Sequence, residues 1–191
     1  MRIISGSLGG RRIDAPAGDR VRPTSDRVRE AMFSILGPPP PMTRVLDAFA
    51  GAGGLGLEAL SRGAEHAVFI DNTRASLRCL GRNIDALALA DRTSVFHGDA
   101  VALLRRWQER PRDPAQPGFR WLFIDPPYRS ELAAQALTVL GQSNLLAGDA
   151  RVIVEHDRRN PPANRHGSLL RIDHRRYGDT EISIYYCNLE A

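Results

Sequence analysis

Lysine is absent. All 26 basic side chains among the 191 residues are arginine, and a coding bias towards guanine and cytosine accounts for that without any functional reason. Cysteine is nearly absent too. Cys79 and Cys187 stand alone, neither in a metal-ligand spacing, so a disulfide scaffold and a cysteine-based metal site are both excluded, and reduced thiols in a cytoplasmic protein are expected. The five histidines show neither metal-ligand spacing nor a partnered nucleophile, so no metal is expected. No apolar run approaches membrane-spanning length, and the N-terminus has no signal-peptide apolar region. Internal repeats and low-complexity segments are missing as well.

What is present is ordinary for a globular chain, with 42% apolar and 25% charged residues. The length fits one domain with a small appendage. Charge is uneven along it. Residues 1–29 carry seven arginines against three aspartates, a net +4, and residues 157–176 carry six against two, again +4. Residues 31–156 hold 13 of each sign and cancel. Two basic flanks on a neutral body point to a polyanionic partner.

Along the chain, residues 2–15 read as a small hairpin around a Gly-rich turn. Thr24 or Ser25 caps a helix with Val28, Met32, Ile35 and Leu36 at helical spacing, stopped by Gly37 and the prolines 38–41. Residues 44–49 form a first strand. The glycine loop 50–56 follows and opens a helix that runs to Arg62. Strands at 67–71, 94–96, 121–124 and 152–154 alternate with helices at 73–89, 100–108 and 131–140. Strands at 168–172 and 182–187, around a turn at 175–179, close the chain. This alternation predicts an α/β fold, a Rossmann-like doubly wound sheet that is mostly parallel with an antiparallel C-terminal strand pair. The expected division is a hairpin-and-helix appendage at 1–40 and a main domain at 41–191. Leu77, Leu80, Ile84 and Leu87 are expected to face inward, Trp107 to join the core, and Glu155 to face solvent.

Gly51-x-Gly53-x-x-Gly56 lies between a strand and a helix, and Asp71 lies twenty residues beyond Gly51, where an acid for ribose hydroxyls belongs. Alone, this pattern fits a nicotinamide dinucleotide equally well. Four successive strand ends carry acids, Asp47, Asp71, Asp99 and Asp125, which tips the reading towards S-adenosylmethionine: Asp47 suits an amine and Asp99 an adenine amino group. The fourth acid opens Asp125-Pro126-Pro127-Tyr128. A nucleobase amine is a poor nucleophile because its lone pair is delocalised into the ring. The Asp125 carboxylate and the Pro126 carbonyl, both accepting from its N–H groups, favour pyramidalisation and stabilise charge that develops on attack. Pro127 stiffens the turn, and Tyr128 offers a stacking face worth about 1–3 kcal/mol.

Asp-Pro-Pro-Tyr resembles the motif of class I methyltransferases acting on exocyclic amines. Together with Arg22-Pro23-Thr24, residues 26–31, residues 46–59 and Tyr177-Gly178-Asp179-Thr180, in that order, the chain resembles the bacterial 16S ribosomal RNA guanine-N2 methyltransferase family, whose target is the guanine numbered 966. The resemblance covers nearly the whole chain. It implies S-adenosyl-L-methionine as cofactor, with Asp47, Ala50, Gly51 and Gly53 at its methionine end, Asp71 and Asn72 at the ribose, and Asp99 with Ala100 at the adenine. It implies that residues 125–128 hold the guanine, and that the partner is 16S ribosomal RNA, in free form or within the assembling 30S subunit. The basic positions Arg11, Arg12, Arg22 and Arg27 are candidate RNA contacts, and a monomer is expected. Asp71 departs from the glutamate usual at the second strand end. The rivals are DNA adenine-N6 or cytosine-N4 methylation, disfavoured because no target-recognition domain is evident, and a non-catalytic cofactor-binding module.

Overall fold

The computed structural model describes residues 1–15, 26–111, 116–127, 131–178 and 180–187. Two compact units divide the chain, Met1–Gly98 and Asp99–Ala191.

The first unit is built on β1 (Arg44–Asp47), β2 (His66–Asp71) and β3 (Thr93–His97), all parallel, with β2 between the other two. Its helices are α1 (Asp26–Leu36), α2 (Gly54–Ser61) and α3 (Arg74–Leu87). The middles of the short β1 and β2, Val45-Leu46 and residues 67–70, are apolar and buried, as expected of parallel strands covered on both faces. Helix α1 buries Val28, Met32 and Leu36 as the helical spacing predicts, and Phe33 besides, while Ile35 is only half-buried. Helix α3 ends at Leu87 because Ala88 turns left-handed, with φ 56°; it buries Ser76, Cys79, Leu80, Asn83, Ile84 and Leu87, while Leu77 is only half-buried. In β3 the apolar Val95 and Phe96 are exposed, against the ordinary expectation for such residues.

The expected hairpin at 2–15 reduces to a single antiparallel bridge, Arg2 to Arg12, with Ile3 donating to the Arg11 carbonyl at 2.9 Å. The strip is held less by self-pairing than by α2. Glu58, fully buried, accepts from the N–H of Ile4 at 2.7 Å, the N–H of Ser5 at 3.1 Å and Nε of Arg62 at 2.7 Å. One buried carboxylate thereby satisfies two otherwise unpaired backbone donors and keeps its own charge paired.

The second unit holds α4 (Ala100–Gln108), β4 (Phe119–Ile124), α5 (Leu132–Gly141), β5 (Leu146–Asp157), β6 (Arg165–His166), β7 (Leu169–Tyr177) and β8 (Thr180–Cys187). Here β4 and β5 are parallel, and β5, β8, β7 and β6 then follow one another antiparallel. The fold is the mixed α/β class expected: parallel where strands alternate with helices, antiparallel at the C-terminal end. It differs from expectation in detail. β5 starts at Leu146, the C-terminal strands reach Tyr177 and Thr180, and β6 adds a short pairing inside what read as a loop. Trp107 is only half-buried. Glu155 is buried, 5% exposed, where a solvent-facing side chain was expected. No helix among the described residues is long and apolar enough to cross a membrane.

Candidate active site

In the first unit the loop between β1 and α2 is shaped by its glycines and fastened by three side chains. Gly51 and Gly53 adopt φ 55° and 85°, a region costly for residues with a Cβ. Gly56 lies so close to β2 that a Cβ there would sit 2.3 Å from the Phe69 ring, the close helix–strand packing that the third glycine of such loops serves. Asp47, at the end of β1, accepts the Gly56 N–H at 2.9 Å. Asp71, at the end of β2, accepts the Gly51 N–H at 2.8 Å through one oxygen and the Thr73 N–H at 2.7 Å through the other. Asn83 of α3 donates to the Ala52 carbonyl at 3.0 Å, and its side-chain carbonyl takes the Asp14 N–H at 2.8 Å. The N–H of Ala50 bonds the Ile70 carbonyl at 2.9 Å. No pattern in the sequence singled out Asn83, since a polar residue within a helix reads as solvent-facing.

Asp47 is the electrostatic oddity. It is buried, and desolvation pushes its carboxyl up to about 7, only partly countered by the Gly56 hydrogen bond and reinforced by repulsion from Asp71. A carboxylate held at such cost beside an open loop is suited to a cationic amine. Above Gly51, no atom lies within 4 Å of where a Cβ would be, so the loop has room for a ligand on that side. Asn72 is exposed; its carbonyl meets Nε2 of His97 at 3.2 Å.

Sequence reasoning also passed over Arg29 of α1. Its side chain is 1% exposed, and Nη1 lies 3.3 Å from where a Gly54 Cβ would be, against the start of α2. Nη2 donates to the Arg2 carbonyl at 2.6 Å and to Asp26 at 2.8 Å, while Nε and Nη1 have no hydrogen-bond partner among the described residues.

In the second unit Asp99 caps α4, accepting the Ala102 N–H at 2.8 Å through one oxygen, and Ala100 is the buried first residue of that helix. At the carboxyl end of β4, Asp125 is half-buried, Pro126 buried and Pro127 exposed; Tyr128 lies outside the described residues. The last register pair of β4 and β5 is Ile124 with Val154, and the next residues are Asp125 and Glu155. A cleft of about 380 Å³ has Pro126 and Pro127 on one wall, with Glu155, His156, Asn160 and His166 among its other lining residues. That volume is on the scale of small-ligand sites, roughly 300–1,000 Å³. Of the candidate RNA contacts, Arg12 and Arg27 are exposed, Arg11 is exposed but bonds the Ala86 carbonyl at 2.7 Å, and Arg22 lies outside the described residues.

His156, His174 and Glu181 bring one ligand-type atom each within 4.8 Å of the others. All three are already engaged: His156 with Ser183 at 2.9 Å, and His174 with Glu181 at 2.9 Å. The spacing of these histidines in the sequence did not foretell this grouping, because three antiparallel strands assemble it.

A family model described as Conserved hypothetical protein 95 matches residues 1–186. The protein named ribosomal RNA small subunit methyltransferase D from Escherichia coli K12 is 37% identical over 162 residues, covering 84% of this chain and 76% of the relative. The chain belongs to the ribosomal RNA small subunit methyltransferase D family. YlbH of Bacillus subtilis is 38% identical over 185 residues, covering 97% of this chain and 98% of its own. The solved structure of yhhF from Escherichia coli superposes with a TM-score of 0.81 at 32% identity, covering 100% of this chain and 99% of that one. An RNA methyltransferase of Salinibacter ruber, solved with S-adenosyl-L-homocysteine, shares the fold at a TM-score of 0.64 and 14% identity. Members of this family are class I, S-adenosylmethionine-dependent methyltransferases, and the residues present fit that cofactor. A buried acid suits its amine, a left-handed glycine turn leaves space beside the loop, and Asp71 retains lone pairs for hydroxyl donors.

The Asp47 environment carries a sign that can be measured. Its carboxyl is raised from an ordinary 3.8 to about 7, so the folded protein holds a proton there that the unfolded chain has lost between those values. Stability from this group is therefore present at low pH and is lost as pH rises to about 7. Asp47→Asn is expected to raise the stability of the cofactor-free protein at pH 8 by about 1–4 kcal/mol and to leave it near wild type at pH 4. Urea unfolding of both proteins at the two pH values checks this, and equal stabilities at pH 8 would contradict it.

Proposed function

We propose that this protein moves a methyl group from S-adenosylmethionine to the exocyclic N2 amine of a guanine in 16S ribosomal RNA, the guanine numbered 966. In this reading residues 41–191 carry the transfer, the appendage at 1–40 contacts RNA, and a monomer acts on RNA that is free or in the assembling 30S subunit. The E. coli relative is named for small-subunit ribosomal RNA, which supports the substrate class. The observation that favours guanine is that Asp125, just past the end of β4, and Glu155 of β5 follow the last paired residues of those strands, Ile124 and Val154. Adjacent strands lie about 4.8 Å apart, so Asp125 and Glu155 follow register partners on neighbouring strands. Guanine presents donors at both N1 and N2, whereas adenine presents an acceptor at N1. Paired acceptors suit the former.

The cofactor supplies an electrophilic methyl on a sulfonium sulfur, which keeps the bonding electron pair as the methyl leaves. Asp125 and the Pro126 carbonyl hold the two N–H groups of the amine, so its lone pair turns out of the ring plane towards the methyl. As the new N–C bond forms, positive charge grows on N2, and the Asp125 carboxylate stabilises it and accepts the proton N2 sheds before passing it to solvent. Tyr128 stacks on the base and fixes its plane. Asp47, Ala50, Gly51 and Gly53 hold the methionine end, Asp71 and Asn72 the ribose, and Asp99 with Ala100 the adenine. Orientation and acceptor placement carry most of the rate.

Asp125→Ala is expected to lower turnover by about 10²–10³, the usual loss for one preorganised transition-state hydrogen bond, with S-adenosylhomocysteine affinity near wild type. Single-turnover methyl transfer and calorimetry measure the two quantities. Full activity in the variant would remove Asp125 from the amine. The RNA surface has its own test. Replacing the exposed Arg12 and Arg27 together by glutamine should lessen the slope of log affinity against log salt by about 1.4, or 0.7 for each single-strand phosphate contact. An unchanged slope would place the RNA elsewhere on the protein.

A further inference from the structure

We propose that Arg29 binds the methionine carboxylate of the cofactor, the anionic group that the strand-end acids cannot meet. A buried guanidinium is tolerated when its donors and its charge are matched. Arg29 is 1% exposed, yet only Nη2 is matched, by the Arg2 carbonyl and by Asp26. Nε and Nη1 are buried without a hydrogen-bond partner among the described residues. Asp26 is itself half-exposed, so it neutralises the charge only in part. Of the unmatched donors, Nη1 lies against the glycine loop, 3.3 Å from where a Cβ on Gly54, the first residue of α2, would be.

Three features then converge on an anion at this place. The guanidinium keeps an unmatched Nη1 donor on the loop side, a charge-assisted partner for one carboxylate oxygen. The first backbone N–H groups of α2 lie beside it, and the helix start favours negative charge. The acids of the loop, Asp47 and Asp71, are bonded to backbone N–H groups of that loop and are not partners of Arg29. Met1 occupies the same neighbourhood, with its sulfur 3.3 Å from the same Gly54 position. This thioether makes no hydrogen bond to Arg29 and is a flexible side chain that a carboxylate can displace. In the amino-acid end of the cofactor, Asp47 thus takes the ammonium and Arg29 the carboxylate, opposite charges met by opposite charges.

The competing explanation is that Arg29 only fastens the N-terminal strip through the Arg2 carbonyl. Calorimetry with two ligands separates the two: S-adenosylhomocysteine, which has the carboxylate, and 5′-methylthioadenosine, which lacks the amino-acid end. Arg29→Gln is expected to weaken S-adenosylhomocysteine about 10–100-fold, the worth of a charged hydrogen-bonded contact, and to leave 5′-methylthioadenosine within about threefold. Equal losses for both ligands would assign Arg29 to structure alone, and no loss for either would remove it from the site; each result overturns the proposal. Wild-type protein supplies an arm that needs no variant. The carboxamide of S-adenosylhomocysteine should bind about 10-fold or more weaker than the acid, and equal affinity would also overturn the proposal. Failure of wild type to bind S-adenosylhomocysteine at all would instead sink the cofactor assignment on which the proposal rests.

Discussion

The site depends on carboxylates at strand ends, Asp47 buried and Asp71 half-buried, that hold a loop of glycines in one conformation. A chain segment containing Gly51, Gly53, Gly54 and Gly56 has more freedom to lose on ordering than any other composition would. Asp47 and Asp71 restrict it by accepting the N–H groups of Gly56 and Gly51, and Asn83 closes on the Ala52 carbonyl from α3. The chain's own side chains therefore fasten the loop, one of them a carboxylate whose ionisation burial opposes. Ionising Asp47 costs stability, and in the proposed reading that charge meets the cationic amine of the cofactor. This is the usual direction of exchange between folding and function.

The same economy recurs in the placement of other polar groups. Glu58 is fully buried and serves the backbone of the N-terminal strip, which otherwise pairs with itself at one bridge. Asp99 caps α4 through one oxygen. Asp71 spends both oxygens on backbone N–H groups, so its removal disturbs the loop as well as any ribose contact. A loss of cofactor affinity in an Asp71→Ala protein would for that reason overstate the direct contribution of the side chain.

Much of the fold was legible because parallel strands buried on both faces read as short apolar runs and glycines mark where they stop. β1, β2 and β4 lie where Val45-Leu46, Val68-Phe69-Ile70 and Leu122-Phe123-Ile124 place them. β5 began six residues earlier than expected because its first half, Leu146 to Arg151, alternates small and polar residues and has no apolar run. β6 was missed because two residues carry no period. The strand-end acids were legible as a set; which donors they serve was not, since the spacing of Asp47 and Gly56 does not fix a hydrogen bond. Arg29 and Glu155 were passed over for one reason. Charged residues are ordinarily at the surface, and only tertiary neighbours decide the few that are buried. Arg11 and Arg12 are adjacent and alike in sequence, but Arg11 bonds the Ala86 carbonyl whereas Arg12 pairs through its backbone with Arg2.

The central claim is that this site places a methyl on the N2 amine of a guanine in small-subunit ribosomal RNA. The direct measurement is to incubate purified protein with S-adenosylmethionine carrying a deuterated methyl and with small-subunit RNA from cells lacking the enzyme. The RNA is then digested to nucleosides and analysed by mass spectrometry. The expected product is deuterated N2-methylguanosine from a single position. Label on adenine N6, on guanine N1 or on no nucleoside of either free RNA or the assembled small subunit would contradict the account.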